Sequence, residues 1–204
     1  RNAITVMSRS YRTDPAKVIA RRRLEGSSTP CRIIERRPAH GDIHPLAGRH
    51  LRRIIPGIYK RYFYGLVSVE LLPRKGPVIG HPYGEYLNDE RKIRLYSVPL
   101  PEWRFPGKTS GDLLYEHGAG ISHEGDFTVI RWPSLLDLAY FMYREVFLHE
   151  LGHHFHNRYR TKRPHPKTPA AREASADRHA EWLGKLRAFQ GWHDAEEVRR
   201  ADTE

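Results

Sequence analysis

Residues 134–158, SLLDLAYFMYREVFLHELGHHFHNR, decide how this chain is read. Ser134 followed by Asp137 makes a capping-box-like start, and neither proline nor a β-branched run interrupts the residues after them, so the spacing predicts one helix across the stretch. Apolar residues occupy nearly every side as far as Leu148, which makes that helix central and largely buried. Its last third turns polar, with four histidines and Glu150.

Within it, His149, Glu150 and His153 spell H-E-x-x-H. Positions four apart share a helical face, so both imidazoles can reach one metal ion while Glu150 stands beside them, able to meet a metal-activated water without ligating. With 13 His and 15 Glu in 204 residues the pattern arises by chance about 0.06 times per such chain, so context must add weight. Context does: unpaired imidazoles on the most apolar helix are costly to bury, and metal ligation removes that cost. Gly152 points the same way, since an interior helical glycine costs about 1 kcal/mol relative to Ala and is easiest to explain by close packing or access to a site. His154 and His156 are bystanders or competing ligands.

Catalytic zinc takes three protein ligands and leaves the fourth position open. A second helix is expected after the proline-broken TKRPHPKTP, with Thr168 as cap, Pro169 at its first position, and Ala174, Trp182, Leu183 and Leu186 as its apolar contacts. Its first turns carry Glu173 and, four residues on, Asp177, so one can ligate while the other accepts the outer N–H of a ligand histidine. Taken alone, Glu173 is explained as well by favourable negative charge near a helix N-terminus.

HELGHH followed by REASADRHAEWL resembles the gluzincin metallopeptidases, most closely the small zincins of the ImmA/IrrE type and more distantly thermolysin. The resemblance covers residues 145–186 and, more loosely, GEYLNDERKIRLYS, which looks like the paired strands ahead of an active-site helix. It implies an α+β, minimal zincin-like fold: a small mixed or antiparallel sheet packed on an active-site helix, then a second ligand-bearing helix. It also implies one Zn2+ held by His149, His153 and Glu173, with Glu150 as general base and acid and Asp177 orienting a ligand. Two departures stand out: Ser175 where the pattern usually has another Glu, and an insertion from Pro99 to Gly125. Candidates for the donor that steadies the oxyanion are Tyr115, His117, His123, Tyr159 and His179. An extended peptide substrate would add along HPYGEYLN.

Three parts are expected: a basic, partly helical extension over 1–57, the peptidase domain over 58–190, and a polar tail over 191–204. In the first, DPAKVIARRRLEG reads as a helix capped by Asp14, and CRIIE as a short strand. YKRYFYGLVSVELL is strand-like by its aromatic and β-branched content, GEYLNDERKIRLYSV reads as two strands about a tight turn, Pro99–Gly125 as a long loop, and DFTVIRW as a strand.

The net charge of +11 is concentrated in the first third, in Arg21, Arg22 and Arg23, Arg36 and Arg37, and the run from Arg49 to Arg61. Such a field favours an acidic protein or peptide substrate, or a nucleic acid. The competing reading is therefore a nucleic-acid-binding or regulatory module with a structural or inactive zinc site. Cys31, the single cysteine, excludes an internal disulfide and any finger built on several cysteines; its thiolate is a candidate inhibitory fourth ligand, and a small buried hydrophobe is the plainer reading. With no apolar run of bilayer length and no signal-like apolar stretch at the start, the expected location is cytoplasmic, without a membrane partner.

Overall fold

The computed structural model describes residues 31–58, 60–76, 82–100, 102–108, 112–158 and 168–185. The Asp14-capped helix, Arg21–Arg23, Tyr159, Leu186 and the tail expected over 191–204 lie outside the described residues.

The class is α+β, as expected. Strands β1 (Arg32–Glu35), β3 (Ser68–Leu72), β5 (Lys92–Tyr96) and β4 (Gly84–Leu87) form a four-stranded sheet in that order, so the sheet is mixed: β1, β3 and β5 run parallel and β4 is antiparallel at one edge. The alternation of KIRLY works as its pattern predicts. Ile93 and Leu95 are buried, while Lys92 and Arg94 reach Glu70 of β3 at 3.3 and 3.5 Å on the other face. β4 and β5 are joined by the turn at Asn88–Arg91, where Arg91 takes a positive φ of 55°. A two-stranded ribbon, β2 (Asp42–Ile43) with β6 (Val98–Pro99), is fastened by buried Asp42, which accepts from Arg74 Nε at 2.7 Å and from Ser97 Oγ at 2.8 Å.

Three expectations require correction. Much of 31–57 belongs to the body of the protein: β1 pairs with β3, and Leu51 and Ile54 of α1 (Gly48–Ile54) lie in the core. The sheet therefore takes in residues well before 58. Secondly, YKRYFYGLVSVELL is a strand only from Ser68; Lys60–Phe63 is a 3-10 turn that carries Tyr62 and Phe63 into the core, because aromatic content favours burial in general and packing against the later helices decides the backbone here.

Thirdly, Pro99–Gly125 is not a loop. It holds β7 (Glu102–Pro106), α2 (Asp112–Glu116) and β8 (Gly120–Glu124), and with β9 (Phe127–Arg131) makes a three-stranded antiparallel sheet in the order β7-β9-β8. Gly107, Gly118 and Gly125 hold turns at φ of 82°, 88° and 61°. Glycine content thus marked the ends of strands. Trp103 and Phe105 alternate with exposed Arg104 and Pro106, and Trp103 packs against Tyr83 and Trp132, which in turn meets Phe141 at the head of the long helix.

That helix runs as expected from Ser134, whose Oγ accepts from the Asp137 amide at 3.2 Å, to Arg158. It is segmented: α3 (Leu135–Phe141), a π-helical stretch (Met142–Phe147) and α4 (Leu148–Arg158). The wider π turns rotate the α4 side chains relative to those of α3, which is how an apolar segment continues into one whose polar face must meet its own partners. α5 (Pro169–Gly184) starts as expected, with Thr168 Oγ1 accepting from the Ala171 amide at 3.2 Å. It buries Ala176, Ala180 and Leu183; Ala174 is exposed, contrary to expectation, because the face turned to α4 is set one residue later by Ser175 and Ala176. Among the described residues no helix is long and apolar enough to cross a membrane.

Candidate metal centre

Leu148 and Leu151 are fully buried and anchor α4, each worth roughly 1.5–3 kcal/mol of burial. His149, Gly152, His153 and His156 lie on the face turned to α5. Gly152 is where the two helices come closest: a Cβ there would lie 2.9 Å from the Ala176 carbonyl oxygen and 3.1 Å from His179 Cβ. The interior glycine is thus explained by close packing, and the approach brings the first turns of α5 level with His149 and His153.

His149 Nε2, His153 Nε2 and Glu173 Oε2 converge at separations of 3.0, 3.1 and 3.3 Å. Metal–ligand distances of about 2.0–2.1 Å in tetrahedral geometry require ligand atoms about 3.3 Å apart, so the triangle has the dimensions of one face of a zinc tetrahedron. Electron counting agrees. His149 Nδ1 lies 2.8 Å from Asp177 Oδ1, and with the ring proton on that nitrogen the lone pair of Nε2 points toward a carboxylate and a second imidazole. Protonating both rings instead would set two positive charges 3.0 Å apart. Three electron-pair donors aimed at one point fit a cation, and these three residues form a group able to hold one.

Glu150 stays off the triangle. Burial, opposed by His149, pushes its carboxyl up to about 7, and the Tyr86 amide of β4 donates toward it. His153 is held below the usual imidazole range by burial first and by His149 second. β4 is the edge strand, so its outer side is unpaired by any strand among the described residues and runs past Glu150.

The other histidines have separate work. His154 is fully buried, with Nδ1 3.1 Å from the Tyr86 hydroxyl and Nε2 3.1 Å from the Tyr64 carbonyl, and so ties α4 to β4 and to the 3-10 region. His156 Nδ1 is 3.4 Å from Ser175 Oγ. His179 packs against Phe155 at 4.9 Å between ring centres and lies 3.5 Å from the Tyr62 hydroxyl; burial is the first cause of its lowered pKa.

Of the remaining donor candidates, Tyr115 is 70% exposed on α2, and His123 Nδ1 meets Thr128 Oγ1 at 3.2 Å within the three-stranded sheet. His117 comes nearest in the chain of contacts, with Nε2 3.3 Å from Glu145 Oε1, one helical turn before His149. None of them hydrogen-bonds to a ligand residue among the described contacts. Cys31 precedes β1, at the opposite edge of the sheet from β4, three strand spacings or about 14 Å away in the sheet. Burial raises its thiol to about 11, so the plainer reading, a small buried hydrophobe, is the one its surroundings support.

Beside His149 lies a cleft of about 570 Å³ lined by Arg144, Glu145, His149, Asp177, Arg178, Ala180 and Glu181. Sequence reasoning missed this cleft, because α3–π–α4 and α5 build it jointly from residues far apart along the chain. Comparison of the chain with family models, curated proteins and solved structures finds no match.

Proposed function

We propose that this protein is a zinc-dependent metallopeptidase of the gluzincin type with a minimal zincin-like fold, most like the ImmA/IrrE group. The observation that carries the reading is the 3.0–3.3 Å triangle of His149, His153 and Glu173 with a part-buried, non-ligating Glu150 beside it. A purely structural site is ordinarily closed by a fourth protein ligand, and no such ligand joins the group among the described residues.

Zinc held there supplies Lewis-acid polarisation of a carbonyl and an acidified water. The chain's own residues do the rest. Asp177 accepts the His149 Nδ1 proton, fixing the ring so that Nε2 faces the ion. Glu150, with its carboxyl near neutrality in the metal-free chain, takes the proton from the water and passes it to the leaving amine. The edge of β4, unpaired by any strand among the described residues, offers backbone groups to an extended peptide laid along it beside Glu150.

Metal analysis and cleavage of a mixed peptide library test the reading together. One zinc per chain, cleavage abolished by chelation, and a Glu150→Gln variant that keeps its zinc but loses at least about 100-fold in rate are expected. A Glu150→Gln variant that cleaves as well as the parent would leave the alternative of a structural or inactive site.

A further inference from the structure

The cleft beside His149 contains five charged side chains besides the ligand, and their pairing is uneven. Glu145 accepts from Arg144 Nε at 3.2 Å and lies 3.3 Å from His117. Arg144 in addition donates to the Tyr140 hydroxyl at 3.4 Å and lays its stem across Gly184, so it is fastened to both helices. Glu181 takes Lys185 at 3.0 Å, and Asp177 takes His149. Each carboxylate of the cleft therefore already holds a local hydrogen-bond or ion-pair partner. Arg178, exposed on α5 directly after Asp177, is the one charge in the cleft with no acidic partner among the described residues.

A guanidinium held on a helix at the mouth of a cleft, with every nearby carboxylate already engaged, is a site for an incoming carboxylate. Arginine suits this better than a point charge would, since its fork of donors matches both oxygens of a carboxylate. Its neighbours weigh against the opposite preference: a basic side chain entering the cleft would meet Arg144 and Arg178 and would have to compete with the existing partners of Glu145, Asp177 and Glu181. The cleft volume of about 570 Å³ lies within the roughly 300–1,000 Å³ range of small-ligand sites, ample for one residue of an extended peptide.

We infer that Arg178 determines specificity by receiving an aspartate or glutamate side chain of the peptide substrate in the cleft beside the metal centre. The inference rests on the peptidase reading and names the substrate class for it: peptides with an acidic residue close to the scissile bond. It also separates this local selection from the general attraction of a +11 chain for anything acidic.

The test is equilibrium binding by fluorescence anisotropy. Zinc-loaded Glu150→Gln protein is titrated against three fluorescein-labelled ten-residue peptide pools, randomised except for a fixed Asp, Gln or Lys at one position scanned along the peptide. At one position the Asp pool should bind about 3–10-fold more tightly than the Gln pool, with Lys weakest, as expected for a charge-assisted contact partly open to solvent. Arg178→Glu in the same background should reverse the order of Asp and Lys at that position. Arg104→Gln, which removes a charge on the separate three-stranded sheet, should leave the order intact. Identical ranking by the Arg178→Glu and parent proteins, no positional preference, or no binding of any pool would each overturn the inference. Cleavage of the same pools by the zinc-loaded parent protein reads the peptidase proposal independently: cleavage without acidic selection sinks Arg178's role alone, whereas selective binding without chelation-sensitive cleavage sinks the enzyme.

Discussion

Replacing Gly152 by Ala tests whether the metal centre depends on how closely α4 and α5 approach. The added Cβ would sit 2.9 Å from the Ala176 carbonyl oxygen, 3.0 Å from Ala176 Cα and 3.1 Å from His179 Cβ. Ordinary carbon contacts are about 3.5–4.0 Å, and two of the three atoms belong to backbone, so the helices must separate by roughly 0.5 Å. Two effects then oppose each other. Alanine gains about 0.8–1 kcal/mol over glycine in helix propensity, whereas overpacking costs about 1–3 kcal/mol. The metal-free protein should thus be destabilised by about 1 kcal/mol, or about 2–4 °C in melting temperature for a chain of this size.

The loss should be larger with zinc. Glu173 lies one turn before Ala176 on the same helix and is part of the contact that moves, while His149 and His153 ride on α4. A shift of 0.5 Å is at the limit within which a site keeps its geometry, so zinc affinity should fall by about tenfold, or 1.4 kcal/mol. Urea unfolding with and without chelator, together with a competition titration for zinc, separates the two contributions. A Gly152→Ala protein that is about 1 kcal/mol more stable than the parent and binds zinc equally well would refute the reasoning, since propensity alone would then decide the outcome.

Asp177→Asn removes the charged acceptor of the His149 Nδ1 proton, and since Asp177 is exposed it should weaken zinc about 10–100-fold with little change in the stability of the metal-free chain. His154→Ala deletes two buried hydrogen bonds and opens a cavity, so it should cost about 2–4 kcal/mol in unfolding experiments while the protein still binds one zinc. The Glu150→Gln variant carries a pH signature as well. A carboxyl raised to about 7 in the fold binds its proton more tightly there than in the unfolded chain, so the metal-free parent should lose stability relative to the variant as pH rises from about 4.5 to 7, by at most about 2–3 kcal/mol. Parallel stability curves for the two proteins over that window would show that the fold does not raise the Glu150 carboxyl.

The sequence marked best the features that rest on local chemistry. Ser134 and Thr168 cap their helices as their hydroxyls allow, and KIRLY buries every second residue. Reading failed where local composition and long-range pairing disagree. EWRFP carries a strand's alternation between two prolines and ahead of a glycine, and only pairing with Phe127–Arg131 makes that alternation count. YKRYF has a strand's aromatics, yet Tyr62 is used to stack on Phe155 at 4.3 Å, a contact between residues far apart in sequence. The π-helical segment Met142–Phe147 leaves no signature in residue type.

The same division runs through the candidate site. His149, Glu150 and His153 were legible because helical periodicity alone brings them together, whereas Glu173 gained its place only with the second helix against the first. For that placement the glycine matters as well: with a side chain at 152, the triangle of 3.0–3.3 Å would widen on its Glu173 side by about the 0.5 Å through which the helices part. Arg178 illustrates the reverse case. Nothing in REASADRHAEWL distinguishes it from Arg172, and only the accounting of which carboxylates already hold Arg144, His117, Lys185 and His149 leaves it as the charge in the cleft with no acidic partner among the described residues. The approach of His149 and His153 is therefore readable from spacing alone, while the charge balance of the cleft depends on which internal pairs have formed, and that remainder exists only in the folded chain.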